Sequence, residues 1–275
     1  MANSVNTNSG ALIALQNLNA TNAELAQTQT RINTGKKVSS AKDNGAIWAI
    51  AQGQRADIGA LGAVKSSLDR GQSAVDVSLA AGESVSDLLL QLKEKALAAT
   101  DKSLTTASRS ALNEDFKAIR DQITTVTNNA DFNGINLIKV GATGFQALAN
   151  AAGTATLTVK PEVLALGSTN VTVTATTTIG TSTLAATALG LVNASIDKVS
   201  GALARLGTSS KAVSTHATFV SKLADALEAG VGNLVDADLA KESATLQALQ
   251  TKQQLGVQAL GIANQSPQVL LSLFK

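Results

Sequence analysis

The sequence of 275 residues contains no cysteine, two prolines, one histidine and few aromatic residues. Without cysteine the chain forms neither a disulfide framework nor a thiolate metal site. The single histidine, His216, excludes zinc sites built from several histidines as well as His–Cys dyads, and we expect it to be an ordinary helix residue. Five Phe, one Trp and no Tyr are too few to build a surface that stacks nucleic-acid bases.

Strong charge and long apolar runs are also missing. The net charge of +2 gives no field that would attract nucleic acid. No segment reaches the ~18 uninterrupted apolar residues of a membrane span. The N-terminal residues lack the basic and apolar regions of a cleavable signal peptide. The sequence therefore predicts a protein that neither binds nucleic acid nor inserts into a membrane.

No group of residues predicts an enzyme, a cofactor site or a metal site. Asp236, Asp238 and Glu242 resemble the start of a calcium loop, but Lys241 stands where that loop requires glycine. We therefore expect Asp236 to be the N-cap of the helix that follows.

The most informative feature that is present is a heptad repeat. Forty residues carry apolar side chains at alternating spacings of four and three, interrupted at Ser210: Val192, Ile196, Val199, Leu203, Leu206, Val213, Ala217, Val220, Ala224, Leu227 and Val231. This spacing places them on one seam of a single helix about 60 Å long. Such a seam needs partner helices of similar length to be covered.

Two other segments supply these partners. The sequence predicts a helix over 47–99, with apolar or glycine residues every seventh position, and a second heptad helix that begins with Thr106 or Ser108 as N-cap and ends near Asn128. The turn Phe132-Asn133-Gly134 follows. The predicted fold class is mainly α: a long antiparallel helical bundle or coiled-coil rod with paired terminal helices and a small insert rich in β-hairpins.

The two ends carry weaker apolar stripes on otherwise polar helices, 1–35 and 237–264. Isolated helices of this kind are marginal, so we expect both ends to fold on assembly. The expected subunit-interface residues are Leu15, Leu18, Leu25, Ile32, Leu239, Leu246, Leu249, Val257 and Leu260. The predicted domains are a terminal helical domain (1–35 and 237–275), connectors (36–46 and 230–236, with a helix break at Gly230 to Gly232), a long-helix domain (47–134 and 188–229) and an insert (135–187).

The insert changes composition: from Thr154 to Thr187, 14 of 34 residues are Ser or Thr. Thr156–Val159 and Asn170–Thr174 alternate with period two and predict hairpin strands. The clustered hydroxyls are candidate O-glycosylation sites: Thr172, Thr174, Thr176, Thr177, Thr178, Thr181 and Ser182. The alternative is that Thr occurs there for its β propensity.

Both ends resemble the terminal signatures of bacterial flagellins. The N-terminal motifs are Val5-Asn-Thr-Asn8, Gln16-Asn-Leu18, Arg31-Ile-Asn-Thr-Gly35 and Ser40-Ala-Lys-Asp43, and Phe132-Asn-Gly134 resembles the turn that closes the family's second helix. The C-terminal motifs are Asp236-Ala-Asp238, Glu242, Gln250, Gln254, Ala263-Asn-Gln265, Pro267-Gln268 and Leu270. The resemblance covers roughly residues 1–138 and 188–275.

The resemblance implies an extracellular, self-assembling subunit of the flagellar filament that serves motility and is exported unfolded by a type III apparatus. In that family the terminal helices form an inner tube and the long helices a surrounding shell. The implied partners are other copies of the chain, sibling flagellins, an export chaperone at the C-terminal segment, the filament cap and hook-junction proteins.

The chain departs from the family in three places. The insert is short, so the large outer domains of longer flagellins are expected to be absent. Trp48 stands where smaller or polar residues are usual. The segment 90–95 resembles the one read by a Toll-like immune receptor, with Glu94 retained but Gln91 in place of the family's arginine. We therefore expect weak or absent receptor activation.

Three other functional classes remain. A hook–filament junction protein has the same terminal helices and differs mainly in its middle. A soluble coiled-coil binding module or adhesin would keep its binding activity after removal of about 30 residues from either end. A polymerising subunit would lose assembly, because the deletion removes a whole terminal helix. An enzyme on a helical scaffold lacks paired catalytic groups in this sequence.

Overall fold

The computed structural model describes the backbone of residues 7–272 and the side chains of residues 7–265. Within that part of the chain, the elements in order are α1 (Ser9–Thr34), α2 (Gly45–Ala99), α3 (Thr106–Asn129), β1 (Phe145–Leu148), β2 (Thr156–Val159), α4 (Ser182–Val235) and α5 (Leu239–Ser272). The mainly helical fold class is confirmed. No helix among the described residues is long and apolar enough to cross a membrane.

The chain divides into two compact units. We call residues 57–225 the central unit, and the described residues before 57 and after 225 the terminal unit. The motif residues Val5 and Asn6, and the side chains of Pro267, Gln268 and Leu270, lie outside the described residues.

The heptad seam of α4 forms the core of the central unit. Val192, Val199, Leu206, Val213 and Val220 occur every seventh residue, and each exposes 2% of its surface or less. α2 and α3 carry further buried apolar side chains, among them Leu61, Val64, Leu68, Val75, Leu89, Leu92, Phe116 and Ile123. The periodicity therefore identifies the core correctly.

The interruption of the heptad at Ser210 has a structural counterpart. Gln72 Nε2 on α2 donates a hydrogen bond of 2.7 Å to Ser210 Oγ on α4 and another of 2.8 Å to Asp76 Oδ1. A polar pair inside an apolar seam bonds well in only one alignment of the two helices, and such pairs fix helix register. The irregular position thus specifies how α2 and α4 align.

The hairpin differs from the predicted one. β2 is the expected strand Thr156–Val159, but its antiparallel partner is β1, with Phe145 opposite Val159 and Leu148 opposite Thr156. The expected strand Asn170–Thr174 is wrong: Thr172 N–H donates to Ser195 Oγ (2.9 Å) on α4, and no neighbouring strand among the described residues pairs with it. Its period-two pattern reports burial, because Val171 and Val173 are fully buried.

Three predicted helix boundaries are also wrong. The N-cap of α3 is Thr105, whose Oγ1 accepts from Ser108 N–H (3.1 Å), rather than Thr106 or Ser108. The expected break at Gly230 to Gly232 does not occur, since α4 continues to Val235. A helical glycine costs only about 1 kcal/mol relative to alanine, and this last part of α4 buries Val231 and Val235. The N-cap of α5 is Asp238, whose Oδ1 accepts from Ala240 N (3.0 Å) and Lys241 N (3.1 Å), rather than Asp236.

Candidate functional site

The terminal unit is built on an antiparallel pair of helices, α1 and α5. Asn8 at the start of α1 donates from Nδ2 to the Ala263 carbonyl (2.7 Å) in the last third of α5. At the opposite end of the pair, Arg31 Nη1 bonds Glu242 Oε1 at 3.2 Å. The two helices are therefore held at both ends by polar contacts between residues more than 200 positions apart.

The connection between α1 and α2 closes this end of the pair. Lys36 and Asp236 form an isolated antiparallel bridge, and Lys37 N–H donates to the Val235 carbonyl at 2.8 Å. Asp43 Oδ2 accepts hydrogen bonds from the hydroxyls and backbone N–H groups of Ser39 and Ser40 at 2.8–3.2 Å. These hydrogen bonds lower the pKa of Asp43. The bond from the Ser39 hydroxyl contributes most, and those from the backbone N–H groups of Ser40 and Ser39 contribute less. The connector predicted over 36–46 is thus an ordered polar turn up to the start of α2 at Gly45.

The terminal unit buries few of its apolar side chains. Among its described hydrophobic residues, only Val38, Ala51, Val231, Val235 and Leu249 are buried. A larger set of big apolar side chains is exposed, with 43–70% of their surface accessible: Leu12, Ile13, Leu15, Ile50, Leu239, Leu255, Val257 and Ile262. The described part of the central unit shows the opposite balance, with 31 buried hydrophobic residues and seven exposed ones.

The nine expected interface residues fall into three groups. Leu15 (43%), Leu239 (50%) and Val257 (56%) are exposed. Leu249 is 7% exposed, so it belongs to the interior of the terminal unit. The remaining five are half-buried: Leu18, Leu25, Ile32, Leu246 and Leu260. Only the first group is fully available to another molecule.

An open groove of ≈ 430 Å³ lies along the α1–α5 pair. Its lining includes the small residues Gly10 and Gly256 and the exposed side chains Ile13 and Leu255. A Cβ at Gly256 would lie 3.3 Å from Leu18 Cδ1, so glycine allows the two helices to approach closely. Sequence periodicity missed Ile13 and Leu255 because they lie beside the seven-residue stripe; counting all apolar positions at helical spacing would have found them.

The candidate glycosylation residues are not equivalent. Thr174, Thr176 and Thr181 are exposed, whereas Thr172, Thr177, Thr178 and Ser182 are half-buried. Thr172 Oγ1 donates to the Leu191 carbonyl at 2.8 Å, so its hydroxyl is engaged. Thr181 Oγ1 accepts from Leu184 N–H (3.2 Å) at the start of α4.

The remaining predicted residues lie on helices of the central unit. Gln91 and Glu94 are exposed on α2. Next to them, Lys95 Nζ contacts Asp115 Oδ2 at 2.9 Å, and this hydrogen bond and ion pair raise the pKa of Lys95. His216 Nε2 lies 2.8 Å from the Ala149 carbonyl, so the histidine has a structural partner. No cluster of three or more His, Cys, Asp or Glu residues in the described part of the chain is arranged to hold a metal ion.

Comparison with known proteins gives matches at both ends of the chain. The family model described as the bacterial flagellin N-terminal helical region matches residues 5–143, and that of the bacterial flagellin C-terminal helical region matches residues 189–274. Flagellin FljM of Caulobacter vibrioides is 59% identical over 273 residues, and Flagellin FljK of the same organism 56%. Each alignment covers 99% of both proteins.

Among solved structures, Bacillus cereus flagellin matches with a TM-score of 0.50 at 18% identity, covering 56% of this chain and 88% of that one. This likeness concerns the fold alone. A putative flagellar hook-associated protein from Vibrio parahaemolyticus shares the fold as well, with a TM-score of 0.56 at 15% identity, covering 70% of this chain and 100% of that one. The sequence matches, which are to flagellins, therefore decide between the two classes, and they do not favour the junction protein. With both terminal family regions and full-length relatives in agreement, the chain belongs to the bacterial flagellins and is a structural, non-enzymatic subunit of the extracellular flagellar filament.

Proposed function

We propose that this flagellin polymerises through its terminal unit, with the exposed apolar residues of α1 and α5 packing against the same helices of neighbouring copies. The observation that supports the proposal is the balance of burial: eight exposed large apolar side chains against five buried hydrophobic residues among the described residues of this unit. Full burial of one such side chain stabilises by about 1.5–3 kcal/mol. Assembly would supply the burial that a single chain lacks.

The geometry of the α1–α5 pair suits this role. Ile13 and Leu255, each 59% exposed, project beside the groove, while Gly10 and Gly256 give it space. An apolar ridge of one copy entering such a groove would meet a single charged side chain, since Lys252 is the only ionisable residue in its described lining. Ridges packed into grooves are the general mode of helix association.

The test is seeded elongation of purified protein. Leu15→Ser and Val257→Ser should each raise the critical concentration for elongation about tenfold or more, because a loss of about 1.4 kcal/mol per contact is a factor of ten. The matched control is Leu184→Ser, which changes a leucine of similar exposure (46%) in the central unit. Unchanged elongation of both terminal-unit variants, or equal loss in the control, would contradict the proposal.

The resemblance to flagellins also implies specific export and assembly partners. We expect unfolded export through a type III apparatus, a chaperone that binds the C-terminal segment, contacts with the filament cap and hook-junction proteins, and copolymers with sibling flagellins. A chain truncated after residue 238 should lose binding to the chaperone, measured by co-elution from a sizing column. Retained binding would place the chaperone site elsewhere.

The hydroxyl cluster is proposed to carry O-linked sugars, chiefly at Thr174, Thr176 and Thr181. These three side chains are exposed, and the alternative explanation by β propensity is weakened because residues 170–178 form no strand. An intact-mass spectrum of native filaments should exceed the polypeptide mass, and a triple Thr→Ala variant should lose the excess. A native mass equal to that of the polypeptide would exclude glycosylation.

Weak activation of the Toll-like receptor is proposed for the surface that carries Gln91 and Glu94. Gln91 offers no guanidinium for charged pairing, although Glu94 remains exposed beside it. Gln91→Arg should increase signalling in reporter cells relative to the unmodified protein. Strong signalling by the unmodified protein at low concentration would refute the expectation.

A further inference from the structure

The sequence contains two Asn-Gly dipeptides, Asn44-Gly45 and Asn133-Gly134, in different structural settings. Asn-Gly is the dipeptide in which a backbone nitrogen most readily attacks the preceding side-chain amide, because glycine has no Cβ to obstruct the approach. Both asparagines are exposed. The pair therefore allows an internal comparison of reactivity.

Asn133 lies in a two-residue turn that joins Phe132 to Ile135. The Phe132 and Ile135 backbones exchange two hydrogen bonds of 2.9 and 3.0 Å, and Asn133 and Gly134 have φ values of 53° and 83°. Positive φ at both central residues is typical of a type I′ turn. Asn133 is the only non-glycine residue with positive φ in the described part of the chain.

The reacting groups of this turn are placed next to a base. Asp131 Oδ1 accepts a hydrogen bond of 2.8 Å from Gly134 N–H, the nitrogen that would attack. The side-chain amide of Asn133 makes no hydrogen bond to the described residues. Base, nucleophile and leaving group thus occur within four consecutive residues on the surface.

The second dipeptide lacks these features. Asn44 Oδ1 accepts from Ile47 N–H (3.1 Å) at the start of α2, so its side chain is engaged. The adjacent Asp43 carboxylate is occupied by Ser39 and Ser40. No described carboxylate accepts a hydrogen bond from Gly45 N–H.

We infer that Asn133 is a site of intramolecular cyclisation, in which the Asp131 carboxylate acts as general base on the Gly134 amide. Gly134 N forms a bond to Asn133 Cγ while Asp131 takes its proton. The Cγ–Nδ2 bond then breaks, and the proton passes from Asp131 to the leaving nitrogen, which departs as ammonia. Water opens the resulting succinimide at either carbonyl and leaves an aspartate or an isoaspartate at position 133.

The isoaspartate product would alter the end of α3. It adds a methylene to the backbone between Phe132 and Ile135, so their two reciprocal hydrogen bonds cannot both persist. The residues that follow, Leu137 and Ile138, are fully buried. Cyclisation at this turn therefore acts on the packing of the central unit, although the reacting residues are exposed.

The test is peptide mapping of the purified full-length protein by mass spectrometry during incubation at neutral pH. The product in which OH replaces the side-chain NH₂, recognised by its higher mass, should accumulate much faster at Asn133 than at Asn44. Asp131→Asn keeps an oxygen that can accept the hydrogen bond from Gly134 N–H but removes the basic carboxylate. The rate of the mass increase at Asn133 should fall about tenfold or more, and the rate at Asn44 should stay unchanged. Circular dichroism checks that the variant remains helical.

Two further measurements test the inference without the Asp131→Asn variant. In denaturant the rates at the two asparagines should converge, because Asp131 no longer faces Gly134 N–H. Between about pH 5 and pH 8 the rate at Asn133 should fall less steeply with decreasing pH than the rate at Asn44, since an internal base replaces hydroxide. Equal folded-state rates at the two sites, or an unchanged or faster rate at Asn133 in Asp131→Asn, would overturn it.

Discussion

The terminal and central units are both built from long helices, but they differ in how many of their apolar side chains are buried within the chain. In the central unit α2, α3, α4 and the insert bury most of their large apolar side chains within one chain. In the terminal unit α1 and α5 meet through polar contacts at their ends, while large apolar side chains remain exposed. The difference shows that helix formation and burial are separate properties, and that the helices of the terminal unit bury far fewer large apolar side chains than those of the central unit.

The largest expected difference between the units concerns side-chain truncation. Phe116→Ala removes a fully buried ring from the central unit and should lower the free energy of unfolding by about 3–5 kcal/mol. Leu15→Ala removes an exposed side chain from α1 and should change the stability of the monomer by about 0.5 kcal/mol or less. Denaturant unfolding of the monomer measures both. A comparable loss in the two variants would mean that α1 is packed in the free chain.

Glycine substitutions sharpen the comparison within α2. A Cβ at Gly71 would lie 2.2 Å from Phe145 Cε1, so Gly71→Ala should force the hairpin away and cost about 1–3 kcal/mol. A Cβ at Gly59 would meet no other atom within 4 Å, so Gly59→Ala should stabilise the helix by up to about 1 kcal/mol.

Thermal unfolding of the monomer distinguishes the two glycines. If Gly59→Ala also blocks seeded elongation, its surface is a contact between copies. Destabilisation of the monomer by Gly59→Ala would show instead that this surface is covered within the chain.

The smallest expected effect is the acid sensitivity of the α1–α2 connection. The pKa of Asp43 is lower in the folded chain than its unfolded value of about 3.9. The carboxylate therefore stabilises the folded chain above about pH 3.9, and this stabilisation is lost as the pH falls through the folded pKa. Trp48, the only tryptophan, lies close by and reports this segment through its fluorescence. Asp43→Asn should remove the acid-dependent step. An identical fluorescence titration in the variant would assign the step to another carboxylate.

The sequence predicts the core better than the surface, for physical reasons. A heptad records which residues must be buried, and the α4 seam is buried as its spacing requires. Hairpin pairing was only half predicted, because alternation in residues 170–174 reflects burial of two valines and not a strand partner. The helix through Gly230 continues because packing of Val231 and Val235 outweighs local propensity.

The candidate contact surface was predicted in part. Leu15, Leu239 and Val257 are exposed as an interface requires, but Leu249 lies on the same stripe and is buried within the chain. Periodicity assigns a residue to a face and does not say which partner covers that face. The exposed Ile13 and Leu255 were missed because they lie outside the seven-residue spacing.

Amide hydrogen exchange of the monomer and of the filament tests the division between the units most directly. We predict that backbone amides of α1 and α5 exchange rapidly in the monomer and become protected in the filament, because segments with few buried apolar contacts open at low cost. Amides of α4 between residues 182 and 225 should be protected in both states. Protection of α1 and α5 in the monomer equal to that of α4 would contradict the division.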